Sequence, residues 1–163
     1  HRRGPDGRLG PVEDGLVIDG DTRFDVSYPY DGRPGFLAGG AGLSSTATDY
    51  ARFLQMLLNG GELDGERLLG RKTVELMLAN QTGHLEDSGY GAAGFTLGFG
   101  LSWGPERWQI VSAGTLGWGG FFSTDAWFDP QEQLIGILLT QQYPYGHRLM
   151  NTYRVAIYQA LVE

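Results

Sequence analysis

The sequence predicts an α+β fold, an antiparallel β-sheet flanked by helices. Three patterns carry that expectation. Apolar residues recur at helical spacing over about residues 47–58 and 71–80. From residue 97 the period changes to two, with short connections between successive strands. From about His147 to Val162 the helical spacing returns. Short connections imply antiparallel neighbours, because a parallel pair needs a long crossover.

The first helix is the best defined. Thr46-Ala47-Thr48-Asp49 has the form of a capping box, in which a hydroxyl and a carboxylate three residues apart satisfy the free N–H groups of a first turn. Ala47, Tyr50, Ala51, Leu54, Leu57 and Leu58 then form one apolar face, and Asn59-Gly60-Gly61 stops it. A turn at Leu63-Asp64-Gly65 leads to a shorter helix at about Arg71–Asn80, with Val74, Met77 and Leu78 inward. A Gly-rich loop over 83–94 follows. Leu97, Phe99, Leu101 and Trp103 alternate with Gly98, Gly100, Ser102 and Gly104, which reads as a strand. Trp108–Ala113, Trp118–Phe128 and Gln133–Gln141 read as three more, making a sheet of about four strands. The fourth is continuously apolar at Leu134–Leu139, which predicts a central strand covered on both faces. The last helix presents Leu149, Tyr153, Ala156, Ile157 and Ala160 to the sheet. Residues 1–35 are turn-rich, with one short strand expected at Gly15–Ile18, and read as an irregular lead-in to a domain over 36–163.

Composition excludes several function classes. The 163 residues contain 12 Lys+Arg against 19 Asp+Glu, a net charge of −7, which opposes a nucleic-acid partner because phosphate contacts need a basic face. With no Cys there is no thiolate nucleophile, disulfide or Cys-based metal site. Neither His84 nor His147 has a second ligand at helical spacing, so no metal or other cofactor is expected. No run of about 18 apolar residues is present, so no membrane-spanning helix is expected. The compartment stays open between cytoplasm and periplasm, since the chain starts His1-Arg2-Arg3 without Met or an apolar segment.

Two segments bear on chemistry. Gly100-Leu101-Ser102-Trp103-Gly104 matches G-x-S-x-G, the nucleophile elbow of α/β-hydrolases, with Asp125 or Asp129 and then His147 following in that order. An elbow needs a strand, a sharp turn at the Ser and a helix. Here Ser102 lies in an alternating strand, so it reads as an outward polar residue, with a self-contained Ser102 esterase kept as the alternative. Gly114-Thr115-Leu116-Gly117-Trp118-Gly119-Gly120-Phe121 opens what reads as an inner strand, with four Gly in seven residues. Glycine there marks either a bend or a close backbone approach, such as N–H groups facing a ligand oxygen. Trp103, Trp108, Trp118 and Trp127 read as core aromatics, some lining a cleft.

Two stretches together resemble one family. Gly39-Gly40-Ala41-Gly42-Leu43-Ser44-Ser45-Thr46-Ala47-Thr48-Asp49-Tyr50-Ala51-Arg52-Phe53, continuing to Asn59-Gly60-Gly61 and Leu68–Met77, resembles a segment of the serine β-lactamase and penicillin-binding-protein superfamily. Within it, the similarity is to class C β-lactamases, DD-peptidases and family VIII carboxylesterases. Trp118-Gly119-Gly120, running to Trp127-Phe128-Asp129-Pro130, resembles the strand bearing that family's third active-site motif, K-T-G in β-lactamases and often W-G-G in the esterases.

The resemblance implies an acyl-enzyme mechanism. A Ser in S-x-x-K attacks a carbonyl, and the Lys with a Tyr of Y-x-N/S manages the proton. The sites it assigns here are Trp118, Gly119 and Gly120 as the cleft wall and Phe121, whose backbone N–H would be an oxyanion donor. Trp118 in place of the motif's cation weakens recognition of a β-lactam carboxylate and favours small esters, with β-lactam or amide substrates kept open. The sole lysine, Lys72, has Leu69 three residues before it, and none of the eight tyrosines begins Y-x-N or Y-x-S. The expectation is therefore a C-terminal portion of a β-lactamase-like hydrolase, inactive alone. Its partner would be the N-terminal portion carrying both missing motifs, or a second copy through an exposed sheet edge. A non-catalytic binding module using that edge and the aromatics is the remaining alternative.

Overall fold

The computed structural model describes residues 2–12, 15–18, 22–25, 39–40, 42–83, 93–107 and 109–162. Its frame is a five-stranded antiparallel meander. β7 (Gly94–Phe95), β8 (Gly100–Leu101), β9 (Leu116–Gly120), β10 (Thr124–Asp129) and β11 (Leu134–Leu138) pair in sequence order. Helices α1 (Ala47–Leu58) and α2 (Arg71–Leu78) cover one face, and α3 (His147–Tyr158) covers the other. The predicted α+β architecture is the observed one.

Adjacent residues of β10 divide the two faces, as strand geometry requires. Phe128 packs with Leu54, Met56 and Leu57 of α1, Val74 of α2, and Phe99 and Leu116. Trp127 points the other way and packs with Val111 and Tyr158, backed by Leu134, Tyr153 and Ile157. Both rings are fully buried. Trp127 fits because both of its cross-strand neighbours are glycine, Gly117 on β9 and Gly136 on β11. A Cβ on Gly117 would sit 2.7 Å from that of Trp127, and one on Gly136 would overlap the indole ring. The ring is edge-on to Tyr153 at 5.5 Å, and the Arg154 guanidinium lies 5.0 Å from its centroid.

The helix starts follow the sequence. Thr46 caps α1, its hydroxyl accepting from the Asp49 N–H at 3.1 Å and donating to the Asp49 carboxylate. The Asp64-Gly65 turn closes a small hairpin between β5 (Glu62–Leu63) and β6 (Glu66–Arg67). Both turn residues have positive φ, the type I′ combination.

Four readings are corrected. The expected strand at Leu97–Trp103 is half of a β7–β8 hairpin. Thr96 reverses the chain, its hydroxyl accepting from Gly98 and Phe99 N–H groups at 3.2 and 2.9 Å. The expected strand Trp118–Phe128 is likewise two strands, broken at Phe121–Ser123 with Ser123 at φ 60°. Residues 109–113 form no strand. They follow a 3-10 turn at Gly104–Arg107, and the Ser112 N–H is taken by the Asp129 carboxylate at 3.2 Å instead of a ladder. β11 lies at the sheet edge, not its centre, although α1 and α3 both pack on it. Its apolar run reports cover by helices on two faces rather than strand neighbours on two sides. Within residues 1–35, the short strand expected at Gly15–Ile18 is β3 (Leu16–Ile18), which pairs β4 (Thr22–Phe24), and a further pair joins β1 (Arg2–Arg3) to β2 (Leu9–Gly10). The Gly-rich loop from 84 to 92, with His84, and Trp108 lie outside the described residues.

Gly136→Val should destabilise the chain by about 1–3 kcal/mol, because the new side chain and Trp127 claim the same space. Gly98→Ala, where added volume meets nothing, should be close to neutral. Thermal melts of both variants beside the parent check this.

Candidate active site

The strand–turn unit from Gly117 to Ser123 is built so that its backbone is held while part of its surface stays open. On the α3 face β9 carries only glycine. Gly117 lies against Trp127, and the hydroxyl of Tyr145 occupies the space a Cβ on Gly119 would need. Gly120 similarly makes room for the Thr124 hydroxyl. Three of the four glycines are thus close-approach positions, with the approaching groups supplied by the chain itself, whereas Gly114 has open space and a positive φ of 82°, which marks a bend.

On the α1 face Trp118 stands 44% exposed, edge-on to Phe95 at 4.9 Å. β8 pairs with β9 only at Leu116 and Gly117. Beyond Gly117 the edge of β9 is not covered by β8. Trp118, Gly119 and Gly120 therefore lie together on this edge, and Phe121 begins the turn that follows.

That turn is pinned from the segment preceding α3. The Phe122 carbonyl accepts from the Gln142 N–H at 3.0 Å and the Thr140 hydroxyl at 2.9 Å, and the same hydroxyl lies 2.7 Å from the Ser123 carbonyl. Buried Ser123 donates to the Gln142 carbonyl at 3.0 Å and accepts from the Gly146 N–H at 2.9 Å. Phe121 stacks on Tyr143 at 4.9 Å and 16°, and meets Phe122 edge-on at 5.1 Å. Its ring stays 43% exposed.

Two buried carboxylates lie beneath the sheet, and sequence reasoning weighed them only as triad acids. Asp125, cross-strand from Gly119, receives two 2.9 Å hydrogen bonds from Arg154 in a fork geometry that fixes α3 to β10. Burial raises the pKa of Tyr145, Asp125 adds to the rise, and Arg154 partly offsets it. Asp129 accepts from the hydroxyls of Tyr158 at 2.7 Å and Thr115 at 3.0 Å, and from the N–H groups of Ser112, Gln131 and Glu132. Burial opposes the charge of Asp129, but these donors outweigh it and hold its pKa below the usual value. Burial and the Asp129 hydrogen bond push the Tyr158 phenol up, so it stays a donor. No local pattern announces either group, because the partners of Asp125 and Tyr158 stand 29 residues apart in sequence.

The structure does not assemble a Ser102 triad among the described residues. Ser102 continues the sheet, its N–H donating to Thr115 at 2.8 Å and its carbonyl accepting from Gly114 at 3.0 Å. It is not among the positive-φ residues, so the sharp turn of an elbow is absent at this position. Asp125 and Asp129 are committed to Arg154 and to Tyr158 with Thr115, while His147 opens α3. Among the described residues no cluster of three His, Asp or Glu side chains could hold a metal, and no helix is long and apolar enough to cross a membrane.

The Beta-lactamase family model matches residues 2–160. The chain belongs to the beta-lactamase family. Protein Rv1367c of Mycobacterium tuberculosis is 35% identical over 134 residues, covering 75% of this chain and 33% of that protein. The solved structure of EstCE1, described as a hydrolase with promiscuous acyltransferase activity, is 26% identical at a TM-score of 0.75. That match covers 93% of this chain and 41% of EstCE1. Simvastatin synthase (LovD) from Aspergillus terreus shares the fold at 22% identity and a TM-score of 0.66, with 99% of this chain and 42% of LovD covered. The chain therefore spans about a third of the curated relative and about two-fifths of these structures. Its fold is that of a β-lactamase-family hydrolase.

The Asp129 network predicts acid sensitivity of a definite sign. A carboxylate whose folded pKa is depressed adds stability above its unfolded value, lost as pH falls through the folded one. Stability should therefore decline as pH drops below about 4, the unfolded Asp value. Asp129→Asn should be less stable at neutral pH and flatter across that acid window, as followed by denaturant melts at stepped pH. Tyr158→Phe should cost about 1–2 kcal/mol at neutral pH by removing one charged hydrogen bond.

Proposed function

We propose that this chain is the C-terminal wall of a serine hydrolase that works through an acyl-enzyme on small esters. The observation that carries the reading is the edge of β9 at Trp118-Gly119-Gly120, uncovered by β8 beyond Gly117 and continued by a firmly pinned turn. In a β-lactamase-family chain this is the strand that the W-G-G resemblance identifies as the cleft wall. EstCE1, whose described activity is hydrolysis and acyl transfer, supports the same chemistry.

The nucleophile Ser of S-x-x-K and the Tyr of Y-x-N/S would come from the portion of the relatives that this chain does not span. Ser Oγ attacks the ester carbonyl while the Lys and Tyr take its proton, and the proton then passes to the departing alcohol. Water cleaves the acyl-serine in the second half. The Phe121 N–H serves as one donor to the developing oxyanion, and a donor of that kind is worth about 10²–10³ in kcat. Trp118 stands where the β-lactamase motif has a cation, which favours uncharged esters over β-lactam carboxylates.

The N-terminal portion would meet this chain at β11. That strand is a sheet edge, and beside it lies a groove of about 630 Å³ lined by Ala47, Ala51, Leu63, Ile135 and Ile137, with the Arg52–Asp64 ion pair at its rim. An apolar edge of this kind invites strand pairing. A second copy pairing through the same edge is the competing occupant.

Fluorophosphonate labelling with peptide mapping tests the function. The chain alone should remain unlabelled. Mixed or fused with the N-terminal portion, the label should fall on a Ser three residues before a Lys, and Gly120→Trp should abolish it. Label on Ser102 would overturn the reading. Light scattering that finds the chain alone dimeric, with no uptake of the N-terminal portion, would instead support self-pairing at β11.

A further inference from the structure

We infer that Phe121 is a specificity-determining residue whose ring receives a planar, aromatic acyl group of the ester. This rests on the acyl-enzyme reading above and adds the substrate class. On that reading the Phe121 N–H faces the carbonyl, and the ring of the same residue is exposed over 43% of its surface. Any acyl chain leaving that carbonyl therefore starts beside the ring.

The ring is not a loosely held surface aromatic. Tyr143 stacks on it at 16° and Phe122 meets it edge-on. The backbone on both sides of the stack is tied by Thr140, Gln142, Ser123 and Gly146. Binding therefore does not have to order the platform, which removes a cost that a flexible side chain would impose. Tyr143 takes one face of the Phe121 ring, so the acyl group would meet the part of the ring left exposed, where flat apolar groups gain from stacked or edge-on contact beyond the area they bury. Trp118, also near half-exposed, keeps the adjoining stretch of the wall apolar.

The test compares two esters of the same carbon skeleton, methyl phenylacetate and methyl cyclohexylacetate, the first with a flat π ring and the second with a puckered saturated one. In the enzyme assembled with its N-terminal portion, kcat/KM should favour phenylacetate. Phe121→Leu, which keeps an apolar side chain, should shrink that preference about fivefold, a size expected for one stacking contact. Phe121→Tyr should restore it, and thermal melts should show all three proteins folded. Saturation-transfer NMR on the 163-residue chain provides a second readout that needs no catalysis: transfer to the phenyl protons, weaker in Phe121→Leu. Equal rates for the two esters, or a preference unmoved by Phe121→Leu, would overturn the inference while leaving the acyl-enzyme reading intact. Loss of fluorophosphonate labelling with phenyl transfer retained would instead overturn the acyl-enzyme reading and leave an aromatic-binding surface.

Discussion

The burial of Trp127 is the constraint on which the rest of the structure depends. Its indole lies flat under α3 only because Gly117 and Gly136 flank it on both neighbouring strands. The three strands are thereby drawn to one register, since a one-residue slip would set a side chain against the ring. Tyr153, Arg154 and Tyr158 of α3 then close over it. Arg154 and Tyr158 also reach the buried carboxylates of Asp125 and Asp129 at the two ends of β10. Helix, strand and ion pair are thus one cooperative unit, and the exposed end of β9 is its rim.

That arrangement explains how a glycine-rich strand stays ordered. Glycine in a strand interior costs backbone entropy and offers nothing to pack. Here the missing side chains are replaced by partners from elsewhere: Trp127 over Gly117, Tyr145 over Gly119, and the Thr124 hydroxyl at Gly120. Its neighbours fill the space that the missing side chains leave, while its outer edge beyond Gly117 is uncovered by β8. Loss of side chains on one face is compatible with a precisely held backbone on the other.

The sequence made the helices and the fold class legible because their signals are local. Thr46 through Asp49 announce the start of α1 within four residues, and Val74 marks the inner face of α2 as expected. Strand boundaries were less legible. Thr96 and Ser123 reverse the chain through side-chain hydrogen bonds and a positive φ, neither of which interrupts the alternating pattern. β11 was read as central because an apolar run records the helices on its faces, not the strands at its sides. Of the candidate site, Trp118 through Phe121 are visible as a motif. The pinning of their turn by Thr140, Gln142 and Gly146 is not, since those contacts close loops of up to 23 residues.

The all-glycine face of β9 also bears on how such a wall can change through descent. Positions 117 and 119 are closed to any larger residue, since one lies against Trp127 and the other against Tyr145. Variation along this strand and turn is therefore channelled to positions 118 and 121, whose rings are partly exposed. The indole at position 118 packs edge-on to Phe95 and leaves nearly half its surface open, so a different side chain there disturbs a ring contact at the rim and not the buried core. The packing that makes the backbone dependable also decides where novelty can arise.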